Sequence, residues 1–122
     1  MFNAVVMCIF ANVEPEMQVK LINAACGLDW TVADMMKAGE RAWNLKRAIN
    51  NRMGLTASND KLPRALLEPF PDGGSAGYVI DLQSMLSAYY EARGWDPTTG
   101  KPTREKLSEL GMDDVANDLW GS

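Results

Sequence analysis

The sequence predicts an all-α fold, an irregular multi-helix domain of about five to six helices with a long Pro/Gly-rich connection in the middle. Three observations carry this. Apolar residues recur at helical spacing over 32–53 and 82–90. Residues that start helices (Pro15, Thr31, Asp81, Thr103) stand ahead of the periodic segments, and glycines that stop them (Gly27, Gly54, Gly94, Gly111) stand behind. The 122 residues are 47% hydrophobic and 23% charged, a globular composition, and their number suits one core, so residues 1–122 are expected to form a single helical domain.

Residues 3–11 form an apolar entry segment whose length and periodicity fit a short buried helix and a strand alike. From Pro15 to Cys26 the proline sits in a first helical turn, Met17, Leu21, Ala24 and Ala25 line one side, and Gly27 ends the helix. Thr31 with Asp34 three places on makes a capping box with Asp in place of the usual Glu or Gln. The long helix that follows places Val32, Met35, Met36, Trp43, Ile49 and Met53 near one period and Lys37, Glu40, Arg47 and Asn50 largely elsewhere, and stops at Gly54. Gly39 inside it costs about 1 kcal/mol relative to alanine, which predicts a close helix contact there.

Residues 55–80, with Pro63, Pro69, Pro71 and Asp72-Gly73-Gly74-Ser75, are expected to run as an extended surface connection with one helical turn at 64–67. Asp81 then caps a helix carrying Leu82, Met85, Leu86, Tyr89 and Tyr90 on one side and ending at Gly94. A turn at 95–100 leads to two short helices, 103–110 and 113–120, divided by Gly111. No internal repeat and no low-complexity segment is present.

Charge and composition exclude several classes of function. Lys plus Arg number 12 and Asp plus Glu 16, a net charge of −4, so no basic field is available for a phosphate backbone and nucleic acid is not an expected partner. The apolar run at 4–11 is too short to span a bilayer and has no basic stretch before it, so no membrane is implied and a soluble, cytoplasmic protein is expected. With no histidine, neither a Ser-His-Asp nor a Cys-His nucleophile can be built, and the commonest transition-metal ligand is missing. The two cysteines, Cys8 and Cys26, are expected to stay reduced inside a cell unless a metal claims one. Glu40 beside Arg41 and Asp113 beside Asp114 diverge by about 100° on a helix and form solvated edges rather than acid–base dyads. Trp43, Trp30 and Tyr89 suit either a substrate passage or the core.

One stretch has an unusual order of residues: Gly39-Glu40-Arg41-Ala42-Trp43-Asn44-Leu45-Lys46-Arg47-Ala48-Ile49-Asn50-Asn51-Arg52-Met53-Gly54. Ahead of it stands Ala24-Ala25-Cys26-Gly27-Leu28-Asp29-Trp30-Thr31, and behind it, in order, Leu62-Pro63-Arg64, Gly94-Trp95-Asp96, Pro102-Thr103 and Lys106-Leu107 with Leu110-Gly111. From about Cys8 to Gly111 the chain resembles the C-terminal helical region of the tungsten-containing aldehyde ferredoxin oxidoreductases. The resemblance favours helix for residues 3–11. In that family a tungsten bis-pterin centre sits beside a four-iron four-sulfur cluster, three of whose thiolates come from a Cys-x-x-Cys-x-x-x-Cys run and the fourth from an Asp-x-x-Gly-Leu-Cys motif. Asn3-Ala4-Val5-Val6-Met7-Cys8 falls at that last motif.

The resemblance makes Cys8 the candidate cluster ligand and Asn3 the candidate contact to a pterin ring, and no catalytic residue is assigned. Asn3 replaces a carboxylate that would accept charge-assisted hydrogen bonds, and Val6 replaces a glycine. Flanked by Val6, Met7, Ile9 and Phe10, Cys8 suits a buried, inert thiol equally well, and Cys26 is expected to be structural, on an apolar helix face. Four thiolates are the usual requirement and the chain has two cysteines, so no cofactor is expected in the isolated chain. The implied function is the C-terminal portion of an enzyme that oxidises aldehydes to carboxylic acids and passes electrons to ferredoxin, inactive by itself. The implied partner is the missing N-terminal cofactor-binding region or a partner subunit. The alternative is a non-catalytic helical interaction or oligomerisation module derived from that family, with self-association as a homo-oligomer.

Overall fold

Helix boundaries fall where the capping chemistry puts them. The structure, a computed structural model, describes Met7, Cys8, Phe10 and residues 13–121. Helix α1 spans Pro15–Cys26 with proline in its first turn, and Gly27 closes it in the left-handed conformation at φ 66°. Helix α2 spans Val32–Arg52 behind a full capping box, in which the Thr31 side chain accepts from the Asp34 amide and Asp34 accepts from the Thr31 amide. Helix α3, Leu82–Arg93, is capped by Asp81; α4, Arg104–Glu109, by Thr103; α5, Asp113–Trp120, follows Gly111 and Met112. The all-α expectation holds: among the described residues there is no strand, only one antiparallel bridge between Trp95 and Pro102.

The core is built late in the chain. Ala48 of α2, Leu107 of α4, Leu110, Met112, and Ala116 and Leu119 of α5 form one buried cluster, with Val115 packed against it. Helix α4 packs on α5, α5 on α2, and α1 on α2. The α1–α2 corner is held by Asn23, whose side chain donates to the Trp30 carbonyl at 2.9 Å and accepts from the Trp30 amide at 3.0 Å.

Two expectations are corrected here. On α1 the predicted apolar side is outward: Met17 is 50% and Leu21 51% exposed, while Gln18 and Val19 face in. On α2 Met35 is buried as expected and Gly39 is buried too, but Met36, Trp43, Ile49 and Met53 are exposed and the buried positions further along are Asn44, Arg47 and Ala48. At about 100° per residue, those three lie roughly 120–220° round from Met35, so the buried side swings across the helix midway, as it must when one long helix serves different neighbours in succession. The connection over 55–80 runs at the surface as expected, with the expected turn at Arg64–Leu66 and one more besides. It holds two 3₁₀ turns, Ala57–Asn59 and Arg64–Leu66, and is pinned inward where the Ala57 amide donates to the Thr99 carbonyl at 3.2 Å. The expected helix over 3–11 lies almost wholly outside the described residues.

Candidate functional site

The inward swing of α2 brings a charged side chain among aromatic rings. Arg47 is 8% exposed. Its Nε donates to the Gly100 carbonyl at 2.6 Å, its Nη1 to Asp60 Oδ1 at 2.9 Å, and its Nη2 lies 2.8 Å from Asp60 Oδ2. That is a bidentate guanidinium–carboxylate pair between a helix and the connection. The guanidinium also lies over the rings of Trp95, at 4.9 Å, and Tyr90, at 5.8 Å. Tyr90 donates its hydroxyl to Asp60 Oδ2, and Trp95 Nε1 donates at 2.8 Å to the fully buried Asn44. Asn44 in turn donates to the Glu40 carbonyl at 2.9 Å, so each polar atom of its amide is paired.

Electrostatics reinforce this lock. Burial pushes the Asp60 carboxyl up, but the hydrogen bonds from Arg47 and Tyr90 and the Arg47 charge outweigh it and hold the group below the usual carboxylate range. Burial disfavours the Arg47 charge, yet Asp60 more than restores it, and the guanidinium is held above its ordinary value. Burial, then the Asp60 carboxylate, push the Tyr90 phenol up to about 12. Near neutral pH these three groups exchange no protons. They bind and position.

Beside the lock opens a cavity of about 400 Å³ between α2, α3 and the connection. Trp43, Leu62, Leu82, Leu86, Tyr89 and Trp95 supply apolar walls, and Lys46, Asn50 and Lys61 also line it. Trp43 Nε1 donates to the Tyr89 hydroxyl at 2.7 Å, and the Tyr89 and Trp95 rings meet edge-on at 5.5 Å and 87°. A second hollow of about 680 Å³ runs along the other side of Trp43 past Met36, Gly39, Glu40, Arg93 and Glu109 and is more polar.

The site residues expected from the sequence are distributed differently. Asn3 and Val6 lie outside the described residues. Cys8 is exposed, as is Phe10 at 91%, so a buried thiol is not what this chain alone provides. Cys26 is exposed too, at the last turn of α1, contrary to the expected apolar burial. Of the three aromatics considered for a passage, Trp43 and Tyr89 line the cavity together and Trp30 does not. Glu40 and Arg41 have structural partners: Glu40 lies 3.3 Å from Lys106 Nζ, and Arg41 donates to the Leu110 carbonyl at 2.7 Å. Asp113 accepts from the Ser108 hydroxyl. Sequence reasoning missed Arg47, Asp60, Tyr90 and Asn44 as one group. The available signal was Ala48, a small residue that marks close approach on the far side of α2 from Met35.

A family model describing domains 2 and 3 of aldehyde ferredoxin oxidoreductase matches residues 1–112. The chain belongs to the aldehyde ferredoxin oxidoreductase family. It is similar to the tungsten-containing aldehyde ferredoxin oxidoreductase of Pyrococcus furiosus, 47% identical over 94 residues that cover 75% of this chain and 15% of the relative. Against the enzyme of that name from Thermococcus kodakarensis it is 44% identical over 94 residues, 75% of this chain and 15% of the relative. Against that of Pyrococcus horikoshii the figures are 39% over 112 residues, 88% and 18%. The chain thus spans only 15–18% of the length of these curated relatives. The cysteines of this aldehyde ferredoxin oxidoreductase family member do not fit a whole cluster: there are two, and among the described residues no three His, Cys, Asp or Glu side chains gather closely enough to hold a metal ion. Nor, among those residues, is any helix long and apolar enough to cross a membrane.

Proposed function

We propose that this chain serves as the C-terminal helical portion of a tungsten-pterin, iron–sulfur aldehyde oxidoreductase and is catalytically incomplete without the remainder. The reaction of the whole converts an aldehyde and water to a carboxylic acid, releasing two protons and two electrons, the electrons passing to ferredoxin. Within it Cys8 supplies one thiolate to a four-iron four-sulfur cluster and Asn3 an amide to a pterin ring. The lock between α2, the connection and α3 keeps the supporting wall rigid. A reducing, cytoplasmic setting keeps Cys8 available as a ligand. The observation that carries this reading is the match over residues 1–112 to a family whose members are several times longer. The exposure of Cys8 agrees with it, since a ligand shared with a second segment is uncovered until that segment is present.

The alternative, a non-catalytic helical module for interaction or self-association, draws on exposed apolar residues of α1 and α2: Met17, Leu21, Met36 and Ile49 are each about half accessible. One experiment separates the two. The chain is co-expressed anaerobically with the remainder of the Pyrococcus furiosus oxidoreductase as a separate polypeptide, and the purified material is assayed for iron, tungsten and brown colour. The proposal expects a coloured complex whose iron content falls by about half or more in Cys8→Ser. A colourless dimer of the chain that ignores the other polypeptide would overturn it and favour the module.

A further inference from the structure

The cavity beside Arg47 has the chemistry of a small-molecule site. Its volume of about 400 Å³ falls in the range of pockets that take compact organic ligands. Its walls are rings and branched side chains whose own polar atoms are largely spoken for: Trp43 Nε1 is used on Tyr89 and Trp95 Nε1 on Asn44. Among the aromatic walls one donor remains, beside the polar side chains of Lys46, Asn50 and Lys61. The Tyr89 hydroxyl accepts from Trp43, which leaves its own hydrogen to give, and no acceptor for it stands among the described residues.

Charge decides the sign of the ligand. Lys46, Arg47 and Lys61 line the cavity against a single carboxylate, Asp60, and that carboxylate is consumed by Arg47 and Tyr90. Lys46 and Lys61 are exposed and, among the described residues, form no ion pair. The aromatic lining by itself suits a cation, but two uncompensated ammonium groups reject one. We infer that this cavity binds a small aromatic carboxylate, its ring against Trp43 and Leu86 and its carboxylate taken by Lys46, Lys61 and the Tyr89 hydroxyl. The inference rests on the cavity's own residues, as they stand in this chain by itself.

Indole N–H signals give a local reading, because Trp43 and Trp95 line the cavity while Trp30 and Trp120 do not. The full 122-residue chain, labelled with ¹⁵N, is titrated with 2-naphthoate and, separately, with the uncharged 2-naphthalenemethanol. The expected result is saturable movement of the Trp43 and Trp95 indole signals with Trp120 unmoved. Lys46→Ala/Lys61→Ala should weaken naphthoate about three- to tenfold while changing the alcohol less than about twofold, the scale of two exposed charge contacts. Tyr89→Phe should weaken naphthoate further and keep a dispersed spectrum. The inference fails if the Trp43 and Trp95 signals stay still at millimolar naphthoate, if all four indoles move alike, or if the double variant weakens acid and alcohol equally.

Discussion

Arg47 and Asp60 hold together two parts of the chain that nothing in local sequence would pair, a mid-helix position and the start of a proline-rich connection. A guanidinium this buried is tolerated because each of its faces is used, by Gly100, Asp60 and two rings. Removing the carboxylate therefore costs more than the pair itself contributes. Asp60→Asn leaves a buried charge without its counter-ion and should destabilise the fold by about 2–3 kcal/mol in urea titration, less than for a fully enclosed pair because the Asp60 side chain is 28% exposed. The pH dependence has a definite sign. Asp60 titrates below the ordinary carboxylate range when folded, so its contribution is whole above about pH 4 and is lost as the pH falls through its folded value. Tyr90 is pushed up to about 12, so its contribution is whole below about pH 10 and is lost as the pH rises through about 12. In thermal melts across pH, Asp60→Asn should flatten the acid limb without erasing it, because Asp34 and Asp81 are also held low by their helix caps and Asp96 by its hydrogen bonds to Thr99.

At the scale of elements, the turn at 95–100 is as much a part of the lock as α2. Its Asp96 side chain accepts from the Thr99 amide at 2.6 Å, the Gly100 amide donates to the Asp96 carbonyl at 2.8 Å, and Gly100 sits at φ +69°. A Cβ at Gly100 would clash with Arg47 Nη2 and meet the Ala57 nitrogen at 3.1 Å, so side chain and backbone both oppose it. Gly100→Ala should lose about 2–4 kcal/mol, from left-handed strain plus displacement of Arg47, and a urea midpoint shift that small residues elsewhere do not produce would confirm it. This turn also shows what was readable in advance. Helix ends at Gly27 and Gly94 and caps at Thr31, Asp81 and Thr103 were legible because a cap is a local contract between residues three apart. The buried side of α2 was not, because a single stripe was assumed where the helix changes neighbours midway. Asp60 was hidden for a different reason: an acidic residue in a Ser-Asn-Asp run looks like turn chemistry, and only tertiary contact turns it inward. The family motif was legible through Trp43 and Arg47 without revealing that one lines a cavity and the other closes it.

The molecule as a whole is unevenly finished. Its last third encloses the core, while α1 and α2 leave Met17, Leu21, Met36 and Ile49 half exposed. The family match ends at residue 112, yet α5, which follows, contributes Ala116 and Leu119 to the buried cluster and packs on α2. It also ties distant segments: Lys101 Nζ donates to the Leu119 carbonyl at 2.9 Å, Trp120 Nε1 to the Pro102 carbonyl at 2.9 Å, and Arg52 pairs with Asp118. Burying a leucine side chain contributes about 1.5–3 kcal/mol, and a small domain's total stability is of order 5–15 kcal/mol. Losing Leu119, Ala116 and the α2–α5 contact together therefore removes much of the margin. A chain ending at Met112 should lose its cooperative thermal transition, and Leu119→Ala in the full chain should retain the transition with about 2–4 kcal/mol less stability. Should the shortened chain melt as sharply as the full one, Ala48, Leu107, Leu110 and Met112 would suffice as a core and α5 would be dispensable to the fold.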